Sequence, residues 1–194
     1  MTKDARNERW RSPRFAAVVA SLAVILSACG SDPFAFNWDD APDTVRIYSL
    51  ARPELNLQSG FSFYDRTAFT IELASATGRW DLALDTQDGS LVLLPPGALG
   101  ISSRARIAVL PATPYADVVE APGDTLVYEA DDPVPVVAGT IYVIRTSLRP
   151  GSFSATCSYY AKMEPLIIDV AGGALTFRFT SSPICNSRDL IPPQ

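Results

Sequence analysis

The 194-residue chain contains no histidine, and that absence removes whole classes of chemistry. Ser-His-Asp and Cys-His catalysis need an imidazole base. His-based zinc sites and bis-His haem ligation need imidazole ligands. Lysine is nearly absent as well, at Lys3 and Lys162 alone, and methionine is confined to Met1 and Met163. Helical periodicity is missing too: beyond residue 28 no stretch of ten or more residues repeats its apolar positions every three to four. The cysteines are three, Cys29, Cys157 and Cys185.

What is present begins with an address. Lys3, Arg6, Arg9, Arg11 and Arg14 outnumber Asp4 and Glu8, and the apolar run Phe15 to Leu26 follows. That run is shorter than the roughly 20 residues of a membrane-spanning helix but suits a secretory hydrophobic region. Leu26-Ser27-Ala28-Cys29 then resembles the lipobox of bacterial lipoproteins. The resemblance implies cleavage before Cys29 and acylation of its sulfur. Each buried methylene of the added chains contributes about 0.8 kcal/mol of membrane affinity. An ordinary signal peptide or an uncleaved anchor would leave Cys29 a coincidence. No Arg-Arg pair is present, which favours the general secretory route over the twin-arginine one. Gly30 and Ser31, rather than Asp, follow Cys29; by the same resemblance this favours the outer membrane. Residues 1–28 are thus expected to be a signal peptide, 29–43 a lipidated N-terminus and tether, and 44–194 a single β-rich domain.

Of the 16 basic and 21 acidic residues, five and two lie in residues 1–28, leaving 11 and 19 in the remainder, a net of −8. So acidic a body lacks the electrostatic footprint of a nucleic-acid binder. A domain of this size buries roughly 70% of its unfolded surface. With Cys29 taken by lipid, Cys157 and Cys185 are expected to pair, since disulfides persist in oxidising compartments. Closing that loop is worth about 3.5 kcal/mol in the chain-entropy model. A two-cysteine metal site is the competing reading, disfavoured by the lack of any further His or Cys.

From Thr44 the pattern has period 2, in short runs broken by Pro, Gly and Asp. Strands are expected over Thr44 to Leu50, Phe61 to Tyr64, Phe69 to Leu73, Trp80 to Asp85, Leu91 to Leu94, Arg104 to Leu110, Thr125 to Ala130 and Thr140 to Thr146. Asp88-Gly89 supplies a hairpin turn. Near the C-terminus, Ser158 to Val170 forms one arm interrupted at Pro165, Ala171-Gly172-Gly173-Ala174 turns, and Leu175, Phe177 and Phe179 face inward on the return. A turn centred between Gly172 and Gly173 places Cys157 opposite residue 188, and a bulge at Pro165 would absorb part of the offset. Roughly ten short strands with little helix predict an all-β antiparallel sandwich or barrel-like fold.

Trp80-Asp81-Leu82-Ala83-Leu84, Tyr142-Val143-Ile144-Arg145-Thr146 and Tyr160-Ala161-Lys162-Met163 before a hairpin together resemble the HmuY-like lipoproteins. The resemblance covers about residues 61 to 180. It implies an all-β, lipid-anchored or secreted protein that captures haem, with haem as its cofactor or cargo. The chain departs from that pattern in having no His, so no haem ligand of the family can be placed on a residue here.

Met163 can be read as a soft thioether ligand to haem iron or as core filling on one strand face with Tyr159 and Ala161; the second reading is preferred. Tyr159 and Tyr160 are the expected place for an exposed binding surface. Lys162 is expected to be exposed and solitary. Asp81 and Asp85 fit a glycoside-cleaving pair less well than the solvent face of an alternating strand. No catalytic residue and no metal site is assigned. Two roles are expected: a lipid-anchored envelope protein that binds a ligand without catalysis, or a structural or assembly lipoprotein acting through protein contacts. A His-free hydrolase ranks behind both.

Overall fold

The structure is a computed structural model that describes residues 38, 41–151 and 155–193. The proposed signal peptide, Cys29 and most of the tether lie outside these residues. The strands are β1 (Asp43–Tyr48), β2 (Gly60–Ser62), β3 (Thr67–Phe69), β4 (Leu82–Gln87), β5 (Ser90–Leu94), β6 (Arg106–Pro111), β7 (Tyr128–Glu129), β8 (Val134–Pro135), β9 (Thr140–Arg145), β10 (Arg149–Pro150), β11 (Thr156–Cys157), β12 (Tyr160–Asp169) and β13 (Ala174–Ser181). The count exceeds the expected ten because β8, β10 and β11 are two-residue pairings that carry too little sequence pattern to be read.

Six strands form one antiparallel sheet in the order β1-β13-β12-β9-β6-β7, five form a second in the order β3-β2-β4-β5-β8, and β10 and β11 make a separate ribbon. The two larger sheets pack face to face, so the fold is an all-β sandwich rather than a closed barrel. Ile107, Tyr142, Met163, Leu175, Phe177 and Phe179 of the first sheet meet Phe61, Leu82, Leu84, Leu91 and Leu93 of the second in one buried cluster. Phe61 is its hub, with ring centroids of Phe63 and Phe179 each 4.9 Å away at steep interplanar angles. Edge-to-face pairs of this kind add about 0.5–1.5 kcal/mol beyond burial.

The sandwich is also covered on its outer faces. Tyr115, Val118 and Ala121 lie over Ala108, Ile141 and Val143, closing the outside of the six-stranded sheet. Ala76 and Trp80 cover Ala83, Val92 and Leu94 on the outside of the other. This is why Thr140-Ile141-Tyr142-Val143-Ile144 is unbroken in apolar and β-branched character: β9 is buried on both sides.

The turns follow their sequence cues. Asp88 and Gly89 both take positive φ, 50° and 76°, as a two-residue hairpin turn demands. The turn of the C-terminal hairpin is centred one residue earlier than expected, so each partner shifts by two, with Asp169 opposite Ala174. A bulge lies between Pro165 and Ile167, where a break was anticipated. Beyond it the register runs to Ala161 opposite Ser181; continued four residues further, it sets Cys157 opposite position 185, not 188. The disulfide between them is formed, with Cα atoms 5.2 Å apart.

Four expectations are corrected. Thr125–Val127 is a 3-10 turn, with the Asp124 carboxylate accepting from Leu126 N–H at 2.9 Å, and only Tyr128–Glu129 is strand. The side chain of Asp124 satisfies an end that a strand would leave open. The strand expected over Phe69 to Leu73 is instead the end of β3 at Phe69, followed by a turn over 71–73 and a 3-10 turn at Ala74–Ala76. Lys162 is buried, and so is Asp81.

Candidate functional site

The ends of β2, β4, β9, β12 and β13 converge at one end of the sandwich, and the connections leaving them build a polar knot beside an aromatic cleft. Its centre is Asp81, which has no exposed surface. The backbone N–H of Phe63 donates to its carboxylate at 2.9 Å. The N–H and hydroxyl of Ser147 donate to the other oxygen at 2.9 and 3.0 Å. The Arg149 guanidinium stands 3.6 Å from that same oxygen. Arg149 also donates to the carbonyls of Gly78, at 3.0 Å, and Arg79. Burial pushes the Asp81 carboxyl above its ordinary value, opposed by the Arg149 charge and by the donors from Ser147 and Phe63. The knot ties three otherwise separate connections to the start of β4.

Beside it Tyr64 and Tyr159 pack with ring centroids 4.9 Å apart. They wall a cleft of about 340 Å³ with Arg66, Ser181, Ser182 and Pro183. Tyr64 remains exposed, while Tyr159 is 7% exposed. Desolvation, with the neighbouring Tyr64 second, raises the Tyr159 phenol above its usual range. Arg149 approaches the Tyr64 ring at 6.0 Å. Arg66 lies 5.4 Å over the Phe179 ring and is held by Asp43 at 2.6 Å. The Ser181 hydroxyl is buried and has no hydrogen-bond partner among the described residues. Two rings, two guanidinium groups and an unpartnered hydroxyl suit a ligand with a flat or apolar face and polar edges. The cysteines brace the same end, since Arg149 of β10 pairs with Cys157 of β11.

The structure separates the residues that the sequence grouped together. Tyr159 faces the cleft. Tyr160, one residue on, packs on the outer face of the six-stranded sheet beside Ala108 and Val143. The period-2 alternation of an extended chain makes one exposed Tyr159–Tyr160 surface unattainable. Met163 has no exposed surface and belongs to the central core with Ala161. The residues present therefore do not fit a haem held through Met163, because its thioether is enclosed between the sheets.

Lys162 points the other way from Met163 and is 4% exposed. Its ammonium donates to the carbonyls of Tyr115 at 3.0 Å and Val118 at 2.8 Å, and lies 4.6 Å from the Tyr115 ring centroid. Burial, and then the Arg178 charge, lower its pKa. It clips the segment that covers the sheet and offers no free amine. Asp85 accepts from Ala51 N–H at 3.1 Å and lies within reach of Ser49, so it supports a turn and is not one half of a carboxylate pair. Among the described residues no group of three or more His, Cys, Asp or Glu is placed to hold a metal ion.

Tyr64, Arg66 and Arg149 carry no signal in the sequence, and Asp81 reads there as a solvent-face residue although it is buried. Each lies at or beyond a strand end, where alternation stops reporting which way a side chain points. Compared with known proteins, the chain matches no protein-family model and no curated sequence.

Proposed function

We propose that this chain is a lipid-anchored envelope protein whose disulfide-braced β-sandwich binds a ligand without catalysis, in the cleft between Tyr64 and Tyr159. The observation that carries the envelope assignment is the Cys157–Cys185 bond, made by the two cysteines left over once Cys29 is acylated. A disulfide of this kind belongs to an oxidising compartment, in keeping with the basic and apolar N-terminus and the lipobox-like Leu26-Ser27-Ala28-Cys29. Gly30 and Ser31 after the acylated cysteine favour the outer membrane as its destination. Non-catalytic binding is favoured because the knot beside the cleft engages its carboxylate and guanidinium with each other and with backbone groups, which suits holding a shape more than moving protons.

The test is mass spectrometry of the mature N-terminus, with metabolic labelling by a fatty-acid analogue. The expected product begins at an acylated Cys29 and partitions into detergent, and Cys29→Ser abolishes both. An unprocessed Met1 N-terminus in the soluble fraction, with Cys157 and Cys185 both free, would refute the assignment. Titration with haem tests the HmuY-like resemblance separately. A Soret shift lost in Tyr64→Ala or Tyr159→Ala would place a tetrapyrrole in the cleft, and no shift at micromolar haem would remove it as the ligand.

A structural or assembly role is the second reading, favoured by one feature. Leu166, Ile167 and Val170 near the tip of the β12–β13 hairpin are 49%, 56% and 42% exposed, an aliphatic group suited to protein contact. Crosslinking from this tip in intact cells, lost on Leu166→Asp with Ile167→Asp, would favour it over ligand binding.

A further inference from the structure

On the outer face of the six-stranded sheet, Arg106 of β6 and Arg145 of β9 are direct cross-strand partners. Residues paired in an antiparallel ladder send their side chains to the same face with Cβ atoms about 5 Å apart, and like charges so placed repel. Neither arginine makes an ion pair or a hydrogen bond among the described residues, although seven other arginines each have a carboxylate partner. The Nε of Arg145 is buried with no acceptor among the described residues, a costly state for a charged donor. The acidic groups of neighbouring elements form no ion pair with either arginine among the described residues. The Glu129 carboxylate feels the Arg106 charge but does not pair with it, and its Oε1 accepts from the N–H groups of Ala130, Asp131 and Asp132 at 2.8, 3.1 and 3.2 Å; Glu120 holds Arg188 at 2.5 Å. On the other side of Arg145 its ladder partner is Tyr160, whose ring packs along this face.

A chain with a net charge of −8 beyond residue 28 has no general need to set two cations against each other. A doubly charged oxyanion between them would convert the repulsion into charge-assisted hydrogen bonds and give Arg145 Nε its missing acceptor. The planar guanidinium fork matches a tetrahedral phosphate better than an ammonium does. We propose that Arg106 and Arg145, flanked by Tyr160, form a binding site for a phosphate group, supplied either by a soluble phosphoester or by a lipid headgroup. The site is separate from the Tyr64–Tyr159 cleft, and its existence does not depend on lipid anchoring.

The experiment is titration of the purified protein with inorganic pyrophosphate by calorimetry. Co-sedimentation with phosphatidylcholine vesicles, with and without phosphatidic acid, is run in parallel. Arg106→Gln, Arg145→Gln and the double variant are compared with wild type. Saturable pyrophosphate binding, weakened at least tenfold in each single variant, is the expected result. Co-sedimentation that rises with phosphatidic acid and falls in the same variants assigns the group to a lipid, and its absence assigns it to a soluble phosphoester. A second measurement guards against misfolding: without anion, removing one of two repelling charges should leave the thermal midpoint at or above that of wild type. The proposal is overturned if neither probe binds saturably, if the double variant binds with wild-type affinity, or if the single variants melt below wild type without anion.

Discussion

Replacing Asp81 by Asn keeps the shape of the side chain and removes its charge. In the native state one carboxylate oxygen accepts from Phe63 N–H and the other from Ser147 N–H and Oγ, with Arg149 at 3.6 Å. An amide can present its oxygen to only one of these groups. If the oxygen faces Ser147, an NH2 faces the Phe63 N–H and two buried donors oppose each other. An orphaned buried donor costs about 1–3 kcal/mol, and breaking a buried ion pair from one side costs about 3–5 kcal/mol. Because Arg149 keeps its bonds to the Gly78 and Arg79 carbonyls, the lower end applies, about 3 kcal/mol. With a urea m-value of about 2 kcal/mol/M, the unfolding midpoint falls by about 1.5 M. The cycle with Arg149→Met isolates the pair: the double variant should lose less than the sum of the two single losses by at least about 1 kcal/mol. An Asp81→Asn loss under about 1 kcal/mol, or strict additivity in the cycle, would refute the view that this knot holds the cleft end together.

Cys157→Ser and Cys185→Ser should each lower stability by about 3.5 kcal/mol in the chain-entropy model, with no further loss in the double variant, since they remove one bond; denaturant unfolding reads this directly. Gly151→Ala would place a methyl against the Cys157 sulfur, and differential alkylation after mild reduction should show the disulfide opening more readily than in wild type. The N–H groups of Asp131 and then Ala130 hold the Glu129 carboxyl below its ordinary value of 4.5. Its contribution is therefore full above about pH 4.5 and is lost as pH falls through the lowered value. The wild-type advantage over Glu129→Gln should shrink to nothing in acid, and an advantage that grows on acidification would contradict the assignment. Lys162→Met strands the carbonyls of Tyr115 and Val118 at a cost of about 2 kcal/mol. Amide exchange should then rise first across residues 112–121.

The sandwich was legible because its signals are local. Leu175, Phe177 and Phe179 alternate and do face the core, and Asp88-Gly89 turns as its backbone preferences require. The cysteine pairing was legible from compartment reasoning, and the register of the hairpin brings position 185 opposite Cys157 once the turn is set correctly. The centre of the turn was misjudged by one residue because Ala171-Gly172-Gly173-Ala174 has two glycines able to take up the strained position, and Gly173, at φ 56°, is the one that does. The choice depends on the Asp169 carboxylate, which accepts from Gly172 N–H at 2.8 Å, a contact invisible in the apolar pattern.

The candidate site was far less legible, for a reason that Lys162 and Asp81 share. Period 2 reports which residues lie on the same side of a strand, and in β12 it correctly opposes Lys162 to Met163. It does not report whether the far side meets water. That is decided by a segment distant in sequence: residues 115–121 come to rest on the outer face of β12, β9 and β6. A charge that alternation assigns to solvent is thereby enclosed, and survives there only because two backbone carbonyls and an aromatic ring are brought to it. Asp81 repeats the pattern, enclosed by Ser147 and Arg149 from 66 and 68 residues away. In a sandwich with covered outer faces, an isolated charge within an otherwise apolar run is therefore a signal of long-range closure as much as of exposure. Arg106 and Arg145, side by side on that covered face and without an ion pair among the described residues, are where we propose that a partner from outside the chain binds.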